Sequence, residues 1–311
     1  MTEDRTPGQA SAARTPSAAT FVITAYNQEH CIEECLRSAL AQDYPNLRIV
    51  VSDDASPDRT SEVIQDILAG YDGPHRTQFI QQKKNILGHH LAALKPEFIK
   101  DRFAVLGNGD DVFHPDRVSK SVRTMIREGT FSATVNAVLI DVDGKGNALL
   151  MDPDADYDLS LETLCRKSTN RACFGGGLAW RRAVFGQFGT LRPGPRQVDQ
   201  IIVFRAALLG GVSLIREPLM RYRLHDANLN LGRMAELASG PRERVIEERR
   251  RNNVVATTIA QRELLLLARE KRLGAWDYDH LDRILLEELY IRTNRWCRYR
   301  AQMIDDGLGI F

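Results

Sequence analysis

The sequence lacks an excess of charge of either sign. Its 311 residues carry 42 Lys and Arg against 41 Asp and Glu, which gives a formal net charge of +1. A protein that attracts nucleic acid through its general electrostatic field needs a clear basic excess, so this balance argues against that class. Long apolar runs are also missing. The longest candidate, 264–268, is far shorter than the ~18–20 residues of a membrane span.

The first residues have no apolar segment of the kind that a secretory signal peptide needs. Residues 2–19 are instead rich in Ser, Thr, Pro and Ala. Such a composition buries too little apolar surface to offset the entropy of ordering the chain. We therefore interpret residues 1–19 as a disordered tail.

Cysteine is scarce as well. The chain has five, an odd number at scattered positions, namely Cys31, Cys35, Cys165, Cys173 and Cys297. This set suits a reducing compartment better than a disulfide framework, so we expect a cytoplasmic protein. Cys31 and Cys35 are spaced i, i+4 and could form half of a metal site. Because no second Cys/His pair follows at zinc-site spacing, packing is the favoured interpretation.

From residue 21 onward, short apolar strands alternate with helical patterns, which is typical of an α/β fold with a mostly parallel sheet. The predicted strands are 21–24, 48–52, 79–82, 103–106, 131–141 and 212–215. The predicted helices are 29–41, 58–68, 89–98, 118–126 and 198–209, and 151–170 is predicted to be irregular. Beyond 229 the pattern changes to two long Arg-rich helical stretches, 243–273 and 280–303. We predict three parts: the tail 1–19, an α/β domain 20–230 and a helical extension 231–311.

Two pairs of adjacent aspartates stand where a buried apolar run gives way to a polar turn. Asp53-Asp54 follow Val50-Val51-Ser52, and Asp110-Asp111 follow the strand at 104–106 and its Gly107-Asn108-Gly109 turn. Neighbouring carboxylates repel each other and lose hydration when buried, so they add little stability there. A divalent cation or a ligand rich in hydrogen-bond donors is the usual reason for such pairs. The alternatives are helix capping for the first pair and a surface turn for the second.

Three further features are ambiguous by themselves. Asp199 begins a predicted helix, where an acid is routinely explained by capping and the helix dipole. His225 is a lone histidine, which is more often structural than a ligand. The run Gly175-Gly176-Gly177 before Trp180 favours a sugar pocket, since glycines permit close approach, or equally a flexible strand entry with a core tryptophan.

These features fall in an order that resembles family 2 glycosyltransferases. The segments that carry the resemblance are Thr24-Ala25-Tyr26-Asn27, Asp53-Asp54-Ala55-Ser56-Pro57-Asp58-Arg59-Thr60, Asn85-Ile86-Leu87-Gly88, Asn108-Gly109-Asp110-Asp111, Val198-Asp199 and Tyr222-Arg223-Leu224-His225 through Asn228. They span about 21–230. Asn108 replaces the first Asp of the family's Asp-x-Asp-Asp motif, and Val198 replaces the Glu of its Glu-Asp motif. The segment 85–88 is one residue longer than the family's Asn-x-Gly turn.

The resemblance implies the GT-A fold, a Rossmann-like mixed and mostly parallel sheet flanked by helices, here with an α-helical C-terminal extension. It also implies a nucleotide-sugar site. The donor nucleotide would contact Thr24, Tyr26, Asn27, Asp53, Asp54, Asn85, Gly88, Asn108, Asp110 and Arg233. Asp110, Asp111 and His225 would hold Mn²⁺ or Mg²⁺, and which of the two aspartates binds it directly is open. Asp199 would be the catalytic base, and Gly176, Gly177 and Trp180 would line the acceptor and sugar pocket.

The activity implied is inverting, metal-dependent transfer of a sugar from a nucleotide-diphosphate donor to a hydroxyl of a glycan or lipid-linked acceptor. UDP is the default nucleotide by family frequency, with dTDP and GDP open. A non-catalytic nucleotide-sugar-binding or scaffold protein of the same fold is the alternative, which the changes at 108 and 198 favour. A phospho-acceptor receiver domain also clusters acids at strand ends, but it needs neither the Tyr-Arg-x-His element nor a chain this long.

The helical extension has three interpretations. Its apolar residues at near-helical spacing favour packing on the catalytic domain or on a second subunit, which would make a homodimer. Its arginines would also suit docking on an anionic membrane, at the inner face of the membrane and close to a lipid-linked acceptor. Polyanion binding is the third interpretation.

Overall fold

The structure is a computed structural model that describes residues 16–83, 85, 98–167, 172–191, 197–224 and 241–305. Several predictions fall outside these ranges: nearly all of the tail 1–19, the helix 89–98, and the site residues Gly88, His225 and Arg233. Of the predicted site residues, all the others lie within the described ranges.

Within the described residues, nine strands form one mixed sheet. The strands are β1 Ala19–Ala25, β2 Leu47–Asp53, β3 Arg76–Gln81, β4 Phe103–Asn108, β5 Val112–Phe113, β6 Ser132–Ile140, β7 Ala148–Leu149, β8 Leu178–Arg181 and β9 Val212–Arg223. Their order is β3-β2-β1-β4-β8-β6-β9-β5, and β7 pairs with β6. The longest pairings, β1 with β2 and β4, β2 with β3, and β6 with β9, are parallel. The short strands β5, β7 and β8 pair antiparallel.

Helices cover both faces of the sheet. Those described are α1 Ile32–Leu40, α2 Thr60–Ala69, α3 Arg117–Glu128, α4 Leu161–Arg166, α5 Ala183–Phe188, α6 Val198–Leu209, α7 Pro241–Glu270 and α8 Tyr278–Asp305, with a 3₁₀ turn at Gly175–Gly177. Every residue of β1 is buried, as a central parallel strand with helices on both faces requires. On α1 the buried residues are Ile32, Cys35, Leu36 and Ala39, which is the spacing of one helical face.

The C-terminal helices share a core with the sheet. Leu264, Leu265 and Ala268 of α7 and Leu285 of α8 belong to the buried cluster that contains Trp180 of β8. In the same region, Trp276 between α7 and α8 donates its indole N–H to the Leu208 carbonyl of α6 at 2.9 Å. The helical extension is therefore packed against the α/β part of the same chain, which leaves dimer formation and membrane docking as predictions.

The predicted elements mostly lie close to the observed ones, and the differences have local causes. Helix α1 begins at Ile32 instead of 29, because the preceding residues bond to the next loop, as with Glu29 N–H to Asp58 Oδ2 at 3.0 Å. Strand β9 continues past 215 to Arg223 through irregular pairing with β6. The stretch predicted to be irregular contains α4, whose first turn is capped by Ser160 Oγ accepting from Thr163 N–H. None of the helices within the described ranges is both long and apolar enough to cross a membrane.

The shared core predicts that one buried leucine of α8 supports the stability of the whole chain. Leu285 is 0% exposed and its neighbour Leu286 is 43% exposed. We expect Leu285→Ala to lower the free energy of unfolding by about 2–5 kcal/mol. The matched control Leu286→Ala should change it by no more than about 0.5 kcal/mol. Denaturant unfolding followed by circular dichroism measures both, and equal effects would contradict the shared core.

Candidate active site

Register brings the two acidic turns to one edge of the sheet. At the carboxyl end of β1, Thr24 pairs with Ser52 of β2 on one side and with Asn108 of β4 on the other, and Ala25 pairs with Asp53. The two acidic pairs therefore lie on either side of β1, and along the strand direction their first residues are within one or two residues of each other. This edge is where open α/β sheets bind ligands.

The first wall of the site is formed by two loops that bond to each other. Asn27 donates its N–H to Ser56 Oγ at 2.9 Å, and Gln28 donates its N–H to Thr60 Oγ1 at 2.7 Å. Asn27 has a φ of 56°, a left-handed conformation that Asn tolerates better than most residues. Tyr26 beside it is 39% exposed. The first wall of the site therefore carries a partly exposed aromatic ring.

Within the first acidic pair the two aspartates differ in their contacts. Asp53 is fully buried and its Oδ2 accepts from Ser56 N–H at 3.1 Å and from Ser61 Oγ at 2.7 Å, while its Oδ1 accepts from Ser56 Oγ. Its carboxylate is thereby engaged by its own turn. Asp54 is also buried, and its N–H donates to the Ala25 carbonyl at 2.9 Å. The geometry gives Asp53 the role of shaping the turn, and ligand contact stays a prediction for Asp54.

The second acidic pair lies in a turn that is buried and braced. Asp111 is 0% exposed and Asp110 7% exposed. Asp111 Oδ1 accepts the backbone N–H of Arg223 at 3.2 Å, and its Oδ2 accepts from Asn108 Nδ2 at 3.3 Å. Burial first, and then the charge of Asp110, raise the pKa of Asp111 well above its usual range, and these hydrogen bonds oppose the rise. The turn is thus an oxygen-rich place where a positive charge would be stabilised.

A divalent cation fits the donor set of this turn. Asp110 and Asp111 supply carboxylate oxygens, and the buried Oδ1 of Asn108 has no hydrogen-bond partner among the described residues. Oxygen ligands of this kind suit Mg²⁺ and Mn²⁺, which also keep ligand positions for phosphate and water. In the part of the chain that the structure describes, no group of three or more His, Cys, Asp or Glu side chains is arranged so that it could hold a metal ion by itself. A bound cation would therefore draw ligands from water, a phosphate or a residue outside the described ranges such as His225.

Two cysteines pack against this turn. Cys35 Sγ lies 3.3 Å from the Asn108 carbonyl, to which it donates. Burial, followed by the charges of the nearby aspartates, raises the pKa of Cys31 to about 12 and that of Cys35 well above its usual range. Both thiols thus stay protonated at neutral pH, as packing residues do. The interpretation as packing residues is the one that agrees with this geometry.

Two buried arginines stand behind the acids. Arg117 is 0% exposed, and its Nη2 donates to the carbonyls of Leu106 and Gly176. Its guanidinium lies 5.4 Å from the Phe21 ring and 4.8 Å from the Phe113 ring. Burial lowers the pKa of Arg117 to about 9, against the opposing charge of Asp111, so the side chain remains cationic at neutral pH. It therefore supplies a fixed positive charge behind the acidic turn.

Arg223 joins the acidic turn to other elements. Its Nε donates to the Asp110 carbonyl at 3.0 Å, its Nη1 to the Val142 carbonyl at 2.8 Å, and its Nη2 forms an ion pair with Glu34 of α1. The sequence motifs assign no role to Arg223, which lies within one of them, or to Arg117. The signal that was available for Arg223 is its position in the Tyr-Arg-x-His element. For Arg117 the sequence offered none, because an arginine at a helix start is usually solvated.

The glycine run connects the acidic turn to a third acid. A Cβ atom added to Gly176 would lie 2.8 Å from Asp111 Oδ2 and 3.0 Å from Asn108 Nδ2. The preceding Gly175 gives a backbone hydrogen bond that lowers the pKa of Asp199. Two successive glycines thus touch Asp111 on one side and Asp199 on the other. Only residues without a side chain permit this approach at position 176.

Asp199 stands in the first turn of α6 and is half-buried. Its Oδ1 accepts from Gln200 N–H at 2.9 Å. Burial raises the pKa of Asp199 to about 6, although hydrogen bonds from Gln200 and Gly175 oppose the rise. A carboxylate with a pKa near 6 is ionised at neutral pH and is a better proton acceptor than an ordinary aspartate.

Other predicted site residues have different outcomes. Asn85 follows β3, which pairs with β2 at this edge. Gly177 is buried against the ring of Phe174. The expectation that Trp180 offers its indole to a sugar is wrong, because Trp180 is 0% exposed and packs 5.9 Å from the Phe185 ring. The tryptophan belongs to the core, the alternative that the sequence left open.

Comparison with known proteins gives a family and a fold. The profile of the family described as glycosyl transferase family 2 matches residues 20–189, more than half of the chain. The chain is similar to "Uncharacterized glycosyltransferase alr2836" from Nostoc sp., with 27% identity over 215 residues that cover 67% of this chain and 65% of that protein. The chain spans less than two thirds of the length of the curated relatives that it matches.

Two solved structures have a similar fold. One is S. aureus TarS 1-349 in complex with UDP-GlcNAc, with a TM-score of 0.59, 16% identity, and coverage of 88% of this chain and 71% of that one. The other is the mannosyltransferase PcManGT from Pyrobaculum calidifontis in complex with GDP-Man and Mn²⁺, with a TM-score of 0.52, 15% identity, and coverage of 95% and 76%. At these identities the likeness concerns the fold alone, and the predicted GT-A fold is confirmed.

The contact between the glycine run and the acidic turn predicts unequal effects of two alanine substitutions. Gly176→Ala should lower the free energy of unfolding by about 1–3 kcal/mol, because its Cβ would overlap Asp111 and Asn108. The control is Gly175→Ala, whose Cβ would meet no atom within 4 Å and which should be neutral within about 0.5 kcal/mol. Thermal and denaturant unfolding measure both, and equal stability of the two variants would contradict the close approach.

Proposed function

Because the chain belongs to glycosyl transferase family 2, we propose that it is a glycosyltransferase that moves a sugar from a nucleotide-diphosphate donor to an acceptor hydroxyl with inversion at the anomeric carbon. A UDP-sugar is the first donor to test, with dTDP- and GDP-sugars next. The proposed acceptor is a glycan or a lipid-linked sugar. The observation that carries the proposal is the glycine run, which brings Asp199 and the Asp110-Asp111 turn to neighbouring positions.

In this proposal the nucleoside lies along the wall formed by the first two loops. Thr24, Tyr26 and Asn27 flank the base, and Asp54 accepts hydrogen bonds from the base or the ribose. Asp53 holds the turn that presents Asp54. Asn85 and Gly88 would also contact the donor nucleotide. The TarS structure was solved with UDP-GlcNAc, which supports a nucleotide-sugar donor for a chain of this fold.

The diphosphate lies at the Asp110-Asp111 turn. A divalent cation bound there would neutralise the negative charge that develops on the leaving diphosphate. Asp110, Asp111 and Asn108 would hold the cation together with His225, and Arg233 would contact the diphosphate. The mannosyltransferase structure contains GDP-Man and Mn²⁺, which supports Mn²⁺ as the first cation to test. Arg117 and Arg223 hold the acidic turn in position.

Asp199 acts as the base. The acceptor hydroxyl loses its proton as its oxygen attacks the anomeric carbon, and Asp199 Oδ accepts that proton. A positioned carboxylate of this type contributes roughly 10²–10⁴-fold to a rate. A single base on the face opposite the leaving group gives inversion, so an α-linked donor yields a β-linked product. Gly176 and Gly177 leave room for the donor sugar beside this base.

The site of action is part of the proposal. We propose that the enzyme works in the cytoplasm, at the inner face of the membrane when its acceptor is lipid-linked. The five cysteines are all free thiols, which supports a reducing compartment. A homodimer through the C-terminal helices is a further part of this proposal.

The assignment of the base predicts a selective loss in Asp199→Asn. Transfer, followed as release of nucleoside diphosphate from UDP-, dTDP- and GDP-sugars, should fall roughly 10²–10⁴-fold. The melting shift produced by the matching nucleotide with Mn²⁺ should persist, because the donor site is intact. The control Asp279→Asn removes another acid from a helix first turn, that of α8, and should transfer normally.

The same base sets the acidic limb of the pH profile. Since the pKa of Asp199 is raised to about 6, the carboxylate is ionised above that pH and becomes protonated below it. Transfer by the wild type should therefore fall as the pH drops through about 6. The residual rate of Asp199→Asn should lack this limb. Near-normal transfer by Asp199→Asn would show that Asp199 is not the base. If none of the nucleotides shifts the melting temperature of the wild type, the proposed donor site is wrong.

A further inference from the structure

A basic cleft opens at the edge of the sheet opposite the acidic turns. Its volume is about 570 Å³, and it is lined by Lys100, Arg102, Phe131, Arg181, Arg182, Ala183 and Gly186. Phe103, the first residue of β4, pairs with Arg181 at the end of β8. The acidic turn follows the last residue of β4, Asn108, which is roughly 17 Å farther along a strand of this length. The basic cleft is therefore separate from the candidate active site.

Among the described residues that line the basic cleft, none is acidic. Within the described ranges, none of its four cationic side chains forms an ion pair. Two described acids that lie close in the sequence to lining residues have partners elsewhere: Asp101 pairs with Arg48 at 3.0 Å, and Glu128 with Arg127 at 2.8 Å. Four like charges around one cavity repel each other. An anion in the cleft would relieve that repulsion.

The cations are held in place by the backbone. Arg181 Nε donates to the Thr130 carbonyl at 2.7 Å, and its Nη2 donates to the Met125 carbonyl at 2.5 Å. The Phe131 ring lies 5.4 Å from the Arg181 guanidinium. Burial first, and then the charge of Arg102, lower the pKa of Arg181. Within the described ranges, carbonyls engage two of the five N–H groups of Arg181 and fix its guanidinium, so a ligand could accept from the others without further ordering of the side chain.

A second contact orders the other side of the cleft. Arg182 Nη1 donates to the Lys100 carbonyl at 2.9 Å, and Arg182 N–H donates to the Arg102 carbonyl at 2.9 Å. The segment that carries Lys100 and Arg102 is thus fastened to the segment that carries Arg181 and Arg182. Fixed guanidinium groups bind phosphate with charge-assisted hydrogen bonds, often two at once. The volume lies within the range of small-molecule sites.

We propose that the basic cleft is a second ligand site, one that binds a phosphate group. The phosphate belongs either to a soluble ligand of the size of a phosphorylated sugar or to a phospholipid headgroup. This site is independent of the donor site, since it lies at the other end of β4. It gives the enzyme a means to hold a phosphorylated molecule while the carboxyl edge carries out transfer.

The test uses the full chain and inorganic pyrophosphate in the presence of EDTA, which removes the divalent cations that the acidic turn would need. Calorimetric titration should show binding to the wild type. In the triple variant Lys100→Gln, Arg102→Gln, Arg182→Gln the affinity should fall roughly tenfold or more. The matched control is Arg123→Gln, Lys145→Gln, Arg283→Gln, which removes the same charge from exposed cations elsewhere and should bind within about twofold of the wild type.

A second arm separates the two sources of phosphate. Vesicles that contain phosphatidylglycerol, compared with vesicles of phosphatidylcholine alone, should co-sediment the wild type and not the cleft variant if the headgroup is the ligand. Pyrophosphate binding without vesicle binding would identify a soluble ligand. If the triple variant fails to fold, the double variant Lys100→Gln, Arg102→Gln replaces it. This variant keeps the hydrogen bonds that Arg182 donates to the backbone carbonyls of residues 100 and 102. Equal losses in the cleft and control variants, or no binding of either probe, would overturn the proposal.

Discussion

The Arg117 guanidinium lies fully buried behind the acidic turn and donates to a carbonyl of β4 and to the Gly176 carbonyl. It therefore joins the strand that delivers Asp110 and Asp111 to the glycine run that contacts Asp111 from the other side. The charge of Arg117 also opposes the rise in the pKa of the buried Asp111. The acidic edge keeps its shape because this cation offsets part of the repulsion and desolvation of the aspartates. The geometry of the rest of the site depends on that compensation.

The C-terminal helices complete the site from behind. Thr257 of α7 accepts the N–H of Gln197, directly before α6, at 3.0 Å, and Trp276 donates to the Leu208 carbonyl at the other end of α6. Both ends of the helix that carries Asp199 are thus held by the extension. A base must keep its position to within a fraction of an ångström for efficient proton transfer. Helices α7 and α8 therefore support the position of the proposed base, in addition to any role on a membrane or in a dimer.

Much of the fold could be predicted because apolar runs end abruptly in polar turns. Helix α6, for example, was predicted at its observed bounds because Gly210 follows its last residue. The family was predicted from the order of motifs, although each motif alone was ambiguous. The burial of Trp180 could not be predicted, because a four-residue strand with one indole does not tell which face meets the core. Arg117 and Arg223 were missed for a related reason: a buried arginine depends on tertiary partners that no local pattern specifies. The different contacts of Asp53 and Asp54 could not be predicted either, because the hydrogen bonds that engage the Asp53 carboxylate depend on the folded conformation of the loop.

The central claim is that the nucleotide diphosphate and its cation bind at the carboxyl edge of β1, β2 and β4. A crystal structure of the full chain with UDP and Mn²⁺, with manganese located by its anomalous scattering, tests it most directly. The account predicts manganese at roughly 2.0–2.6 Å from a carboxylate oxygen of Asp110 or Asp111, the range of oxygen ligation for such cations. It also predicts the uracil beside Tyr26 and Asp54. Manganese that contacts neither aspartate, or a nucleotide bound at another edge of the sheet, would contradict it.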